Sequence, residues 1–311
     1  MQIDKVEIIV KGRPIMISSM RIDNKIIIIT GKLIKTAKIK EEWFENIEDP
    51  DLLIRALKNA KAKPDFFTFW QRPPEIKPKF SFYMEWEAIS AIPIKNFDNW
   101  WEKQISSANR NKIRKSAKKG VVVKPVDFND ELVKGIRDIF NETPIKRGKP
   151  FWHYGKDFET VKREWSKDLE RSDFIGAYYN DQLIGFVKLV YAGKLALQVE
   201  NISKIEHRNK YTNNALISKA VEICAKKEIP YLTFGAWRRG SHADFLTRNG
   251  FEKILLPRYY IPLTIKGKII LNLKLHHGVI GILPKKLLVR LIDLRSKWYA
   301  IKYCKMQQHI N

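Results

Sequence analysis

The order of elements legible between residues 121 and 263 constrains this chain most. Runs of β-branched and aromatic residues over 121–126, 174–179, 183–190, 195–202, 231–234 and 251–263 predict strands. Helical spacing of apolar residues covers 130–141, 157–171, 213–227 and 241–249, the last closed by Gly250. Asn180-Asp181 and Ala192-Gly193 are compact hairpin turns joining three successive strands. The order therefore reads βααβββαβαβ, an α+β arrangement in which mostly antiparallel strands are flanked by helices.

Upstream, β-branched runs over 6–10, 15–20 and 26–29 are broken by Gly12-Arg13-Pro14 and Asp23-Asn24, which predicts a strand meander. Asp49 and Pro50 form a cap and first-turn pair, opening a helix over 50–62. Two aromatic strands, 65–71 and 80–92, flank Arg72-Pro73-Pro74, where consecutive prolines cannot continue a ladder. A capping signal at Asn96-Phe97-Asp98 predicts one long helix running to Gly120, with a strongly basic second half.

A length of 311 residues predicts two domains, and 44% hydrophobic residues, nine of them Trp, suffice for a sizeable core. The formal charge of +24 predicts an acidic partner: phosphates, nucleic acid or an anionic membrane surface. Cys224 and Cys304 are the only cysteines, which excludes a disulfide framework and a four-cysteine zinc site and suits a reducing compartment. No run of about 18 apolar residues suggests a membrane span, so the expected location is cytoplasmic, or peripheral on the inner face of the membrane. After residue 265 the chain is basic. Leu287, Leu291, Leu294, Trp298 and Ile301 recur at helical spacing among Lys286, Arg290, Lys297 and Lys302, which predicts an amphipathic helix from Pro284 that either packs on the body or docks on an anionic membrane surface.

The order from 121 to 263 resembles the GNAT acyltransferase fold, and Asp244-Phe245-Leu246-Thr247-Arg248-Asn249-Gly250-Phe251-Glu252 looks like that family's helix-to-strand ending. The basic segment Arg110-Asn111-Lys112-Ile113-Arg114-Lys115-Ser116-Ala117-Lys118-Lys119-Gly120-Val121 is similar to one in the FemAB-like branch, where a degenerate GNAT-like half comes first. The resemblance implies tandem GNAT-like modules: a degenerate module over 1–94, a basic connecting helix over 95–120, an acyltransferase module over 121–264 and a basic tail over 265–311. It also implies a phosphate-bearing donor, either acyl-CoA such as acetyl-CoA or aminoacyl-tRNA, and a sugar, peptide or lipid-linked acceptor. Arg208-Asn209-Lys210-Tyr211-Thr212-Asn213 stands where acetyl-CoA users carry a glycine-containing pyrophosphate loop, with Tyr211 and Asn213 at both glycine positions. These residues and Asn214 are the implied donor site, with Arg208, Lys210 and helix amides available to phosphate. Leu246 replaces the family's Tyr proton donor, leaving Tyr259 or Tyr260 for that role.

Acyl transfer to an amine needs a proton acceptor and close alignment of two substrates. Glu200 is the candidate base, because a charged group in a central strand is costly unless it faces a cleft, and strand alternation puts Gln198 on the same face; the other reading makes it a satisfied structural acid. The loop 142–156 brings Arg147, Phe151, Trp152, His153, Tyr154 and Lys156 together. One reading makes it an acceptor site with His153 as a second base; the other has Phe151 and Trp152 plug the loop onto the core and leaves His153 in solvent. Trp237, in Gly235-Ala236-Trp237-Arg238-Arg239-Gly240, is placed to line a cleft, and Arg110 and Arg114 share a helix face suited to phosphate. His207, His242, His276 and His277 show no metal-ligand spacing, so no metal is expected. The expected activity is transfer of an acyl or aminoacyl group to an amine of a cell-envelope or polysaccharide precursor. The alternative is a non-catalytic protein of the same fold that binds RNA or an anionic membrane.

Overall fold

The computed structural model describes residues 4–10, 13–146, 149–237 and 240–277, with the single positions 290, 294, 297 and 298. The chain opens with strands β1 (Asp4–Val10), β2 (Arg13–Ile22), β3 (Lys25–Thr30) and β4 (Thr36–Ile39), helix α1 (Pro50–Lys58), and strands β5 (Phe66–Trp70) and β6 (Met84–Pro93). Asp23 and Asn24 both adopt positive φ at the β2–β3 turn, as a two-residue hairpin turn requires. Asp49 caps α1 by accepting from the amides of Asp51 and Leu52.

The expected single helix over 96–120 is interrupted. A short α2 (Phe97–Asn99) widens into a π turn (Trp100–Gln104), Ile105 is extended, and α3 (Ser107–Lys118) begins afresh under the hydroxyl of Ser106. Packing explains the break. Trp100 is fully buried, its indole N–H donates to the Asn249 carbonyl at 3.0 Å, and Ile105 is buried beside it. The Arg110 guanidinium turns back and donates to the carbonyls of Trp101, Glu102 and Ile105, which the broken helix would otherwise leave unpaired.

The second half runs β7 (Val122–Val126), α4 (Asp130–Phe140), a small hairpin β8 (Ile145–Lys146) and β9 (Lys149–Pro150), and α5 (Phe158–Trp165). Then follow β10 (Ser172–Tyr179), β11 (Gln182–Ala192), β12 (Leu195–Ser203), α6 (Thr212–Lys226), β13 (Tyr231–Ala236), α7 (Ser241–Arg248) and β14 (Glu252–Pro262). This is the order βααβββαβαβ with the small hairpin added. Beyond it lies α8 (Ile265–Asn272), a helix inside what reads from sequence as tail. The amphipathic helix expected from Pro284 lies outside the described residues, save that Arg290, Leu294, Lys297 and Trp298 are exposed.

Among the described residues twelve strands form one sheet in the order β1-β2-β3-β4-β5-β14-β6-β13-β12-β11-β10-β7. All neighbours are antiparallel except β4–β5 and β12–β13. β14, from the end of the second half, lies between β5 and β6 of the first, and β6 in turn pairs with β13. The sheet thus runs unbroken across the division expected near residue 94. Helices α3 and α6 pack together over its second half, enclosing a core that includes Trp100, Leu216, Ile217, Val221 and Phe251.

Gly250 holds this junction closely. Its φ is +86°, and a Cβ there would lie 2.7 Å from the Trp100 indole nitrogen. Gly250→Ala adds left-handed backbone strain and overpacks the indole, and should destabilise the protein by about 2–4 kcal/mol. Urea unfolding of the two proteins measures the difference.

Candidate functional site

A cleft of about 950 Å³ opens where two parallel strands part. β12 and β13 pair only from Leu195–Leu197 to Tyr231–Thr233. Beyond Thr233, β13 stays with β6, Ala236 facing Ile89, and β12 continues toward Ser203 paired with β11 on its other side. The Thr233 hydroxyl donates to the Ser90 carbonyl at 2.9 Å and accepts from the Gly235 amide, fixing that departure. On β12 a bulge leaves Val199 without a partner between Leu189–Gln198 and Lys188–Glu200. The simple alternation expected for residues 198–200 is therefore broken: Gln198 is buried, Val199 is 46% exposed and Glu200 lies between them in exposure.

All three line the cleft, and Glu200 is the sole carboxylate among its described lining residues. Neither amide atom of Gln198 has a hydrogen-bond partner, and the same holds for Asn201 Oδ1, Thr212 Oγ1 and Asn213 Oδ1, all on lining residues. A buried polar group left unpaired costs about 1–3 kcal/mol, and these five atoms on the lining are available to a polar occupant.

The N-terminus of α6 forms one wall. Arg208, Tyr211, Thr212, Asn213 and Asn214 line the cleft, whereas Asn209 and Lys210 do not. Tyr211 takes φ +57°, the left-handed conformation that glycine favours, so the turn survives the missing glycine. No side chain caps this helix, which leaves its first amides and positive dipole end open. Lys119, at the end of α3, donates to the Asn209 carbonyl at 3.0 Å and lies over the Tyr211 ring. Lys210 lies over Tyr179. Asn214 is tied by its amide to Asn249 at 3.0 Å, which gives it a structural role at the α6–α7 contact.

The aromatic loop forms the opposite wall, with Phe151 and a half-exposed Trp152 lining it. His153 turns the other way. It is 7% exposed, stacked on Phe140 at 4.2 Å between ring centroids, and its Nδ1 lies 3.2 Å from the Lys156 ammonium. Burial, then the Lys156 and Lys146 charges, pushes its pKa down to about 3. A neutral, buried imidazole outside the lining is no proton acceptor for the cleft, and neither reading of the loop foresaw its place in the core. Lys156 is likewise committed, its ammonium 2.5 Å from the Glu164 carboxylate. Tyr154 is exposed and off the lining.

Three more expectations are corrected. Arg110 spends one guanidinium nitrogen capping carbonyls, as described above, and lies off the cleft lining. Tyr259 is fully buried in the first half, its hydroxyl bonded to the Gln71 side chain and accepting from the amides of Lys79 and Phe80. Trp237 lies off the lining, its backbone amide bonded to the Ala88 carbonyl. Arg114 is exposed with its guanidinium over Trp101. Arg147 lies outside the described residues.

The structure adds residues that sequence reading missed. His242, at the start of α7, lines the cleft, as do Lys146, Lys149 and Lys204. Trp43 reaches in from the first half, 3.9 Å from where a Gly235 Cβ would stand. The Gly-rich turn before α7 was a signal for His242; nothing local signalled Trp43.

Away from the cleft, Glu85 meets His276 and His277, separated from it by about 190 residues and from each other by none. Its carboxylate lies 3.1 Å and 2.8 Å from their Nε2 atoms and accepts from the Tyr83 hydroxyl at 2.8 Å. Among the described residues this is the one grouping of three metal-capable side chains. Hydrogen bonding accounts for it as a latch holding residues 275–277 against β6.

No protein-family model matches this sequence, and no curated protein does. Solved structures do match in fold. The structure of FemX aligns with a TM-score of 0.57 at 10% identity, covering 86% of this chain and 89% of that one. The C-terminal domain of a putative lysylphosphatidylglycerol synthetase from Agrobacterium fabrum aligns at 0.54 and 14%, covering 83% and 88%. L-PGS from Bacillus licheniformis aligns at 0.52 and 12%, covering 83% and 88%. The chain therefore shares the fold of FemX and of these lysylphosphatidylglycerol synthetase domains.

The depressed pKa of His153 has a sign that can be measured. Below the ordinary histidine pKa of about 6.5 the unfolded chain binds a proton that the folded chain refuses until about pH 3. This group therefore makes the fold less stable as pH falls through that window, by up to about 1.4 kcal/mol per pH unit. His153→Phe should flatten that part of the stability profile in urea titrations between pH 6.5 and 4.

Proposed function

We propose that the cleft holds a phosphate-bearing acyl or aminoacyl donor and an amine acceptor, and that the chain transfers the acyl group between them. The acceptor class is a cell-envelope or polysaccharide precursor, and the donor is acyl-CoA or aminoacyl-tRNA. The observation that carries the reading is the parting of β12 and β13, which aims one carboxylate, a buried unpaired amide and an uncapped helix terminus into a single cleft. The shared fold with FemX and L-PGS supports it.

In this reading the α6 terminus with Arg208 and Lys204 takes donor phosphate, as helix amides and cations do for anions. Phe151, Trp152 and Trp43 supply apolar faces for the acceptor. Glu200 takes the proton as the amine nitrogen bonds to the acyl carbon, and His242 is the second proton-accepting side chain on the lining. The bond to the leaving sulfur or oxygen then breaks, and that atom takes a proton. Tyr211 is the one phenol lining the cleft among the described residues, and it fills the donor role that Leu246, 1% exposed in the core, does not.

Leu246 also favours a second reading, in which the cleft binds its ligand without chemistry. Thermal unfolding with coenzyme A, acetyl-CoA or aminoacyl-tRNA identifies the donor, because only a ligand of the folded state raises the midpoint. With that donor, Glu200→Gln should lower turnover by about 10²- to 10⁴-fold and leave donor protection unchanged. Turnover within about threefold of wild type in folded Glu200→Gln and His242→Asn proteins would remove both residues from proton transfer. Protection without any turnover by wild type, given a panel of envelope amines, supports the binding-only reading.

A further inference from the structure

The first half carries a surface that the transfer reading does not use. Helix α8 is apolar on both sides. Gly267, Ile270 and Leu271 face the body, and a Cβ at Gly267 would lie 1.9 Å from the Asp65 carbonyl oxygen, so the helix is pressed backbone to backbone against that turn. Thr264 caps its start by accepting from the Gly267 amide. This docking turns Ile265, Ile269 and Leu273 outward on one stripe, 79%, 53% and 61% exposed. Lys266, Lys268 and Asn272 are the polar residues of this helix, and the exposed aliphatic stripe beside them is surface that a fully solvated helix face would make polar.

The stripe does not stand alone. The Lys266 ammonium reaches the Leu33 carbonyl and the Asp65 carboxylate, which joins the loop carrying Leu33, 85% exposed, to the helix start. The Lys35 amide donates to the same carboxylate at 2.7 Å. Around these aliphatic side chains stand exposed Lys266, Lys268 and Lys274 on or beside the helix, and Lys32, Lys35 and Lys63 on the adjoining loops. Over residues 31–35, 59–65 and 264–275 the one acid is Asp65, which is buried and consumed by these contacts.

We propose that this face docks on an anionic lipid surface, with Leu33, Ile265, Ile269 and Leu273 entering the headgroup–acyl boundary and the lysines meeting lipid phosphate. Charge selects the occupant. A second copy would bring the same lysines against these, and residues 278–311 of this chain carry seven Lys or Arg and one Asp, so both repel the face. Nucleic acid satisfies the lysines but offers nothing to exposed aliphatic side chains. An anionic bilayer satisfies both. The surface is distinct from the segment expected from Pro284 and consists of described residues alone.

Co-sedimentation of the full chain with phosphatidylglycerol-containing vesicles, against vesicles of phosphatidylcholine alone, tests the proposal. The wild type should partition to the anionic vesicles at least tenfold better, and Leu33→Asp with Ile269→Asp should remove at least a tenfold part of that binding. Both sites are exposed, so this variant should fold, which circular dichroism and an unchanged unfolding midpoint verify. Leu294→Asp with Trp298→Asp serves as the comparison. Wild-type partitioning by the α8 variant, with loss in the comparison variant, would overturn the proposal in favour of the C-terminal segment. A dimer in analytical ultracentrifugation that Leu33→Asp with Ile269→Asp makes monomeric would overturn it in favour of a second copy. A fall of more than about 5 °C in that variant's unfolding midpoint would assign the face to the chain's own covering segment and overturn it too.

Discussion

The pairing of β13 with β6 is the interaction on which the site depends. β13 has two neighbours and cannot follow both, because β12 and β6 diverge as the sheet twists. It leaves β12 after three residue pairs and keeps its bonds to β6, reinforced by the Thr233 hydroxyl on the Ser90 carbonyl. The gap so opened is the cleft. The first half of the chain therefore holds open a site whose walls come chiefly from the second, and Trp43 is its own contribution to the lining. β14 fixes the arrangement by lying between β5 and β6, and Arg258 on that strand bridges Glu42 and Glu87 across it.

Local cost around the cleft points the same way. The bulge at Val199, positive φ at Tyr211, and unpaired polar atoms on Gln198, Asn201, Thr212 and Asn213 are each unfavourable to folding. A sequence selected for stability alone would remove them: glycine at 211 relieves its backbone, and leucine at 198 needs no partner. On the lining these atoms leave partners for a polar ligand, while other unpaired buried atoms, such as those of Asn109 and Ser116, lie away from the cleft.

The elements were legible where their signals are local. Alternation, hairpin dipeptides and caps such as Asp49 and Asn96 lie within a few residues of what they determine, and the order βααβββαβαβ follows from them. What was illegible depends on distant partners. The helix over 96–120 reads as continuous because the breaking forces on Trp100 come from Asn249 and Gly250. β4 is four residues long, and its alternation is too short to stand out. Site residues suffered most, since a residue type reports capacity and not placement. His153, Tyr259 and Arg110 each have the chemistry for a site, and each is held by core groups. His242 has the same chemistry and lines the cleft.

The charge of the chain divides along the same lines. A formal +24 reads as one basic binding protein, yet the cations have different employments. Arg110 closes a helix end, and Lys188 is buried with its ammonium on the Trp165 carbonyl and its pKa pushed down to about 8 by burial. Arg258 and Lys156 sit in partly buried ion pairs. Once these are set aside, the remaining lysines and arginines fall into separate groups with different company. Lys119 reaches the uncapped α6 terminus from the end of α3, while Lys204, paired with Glu206, and Arg208 line the cleft beside polar atoms lacking partners. Lys266, Lys268 and Lys274 stand beside exposed aliphatic side chains, as an interface with both charge and hydrocarbon requires. Neighbours, and not net charge, distinguish the two surfaces.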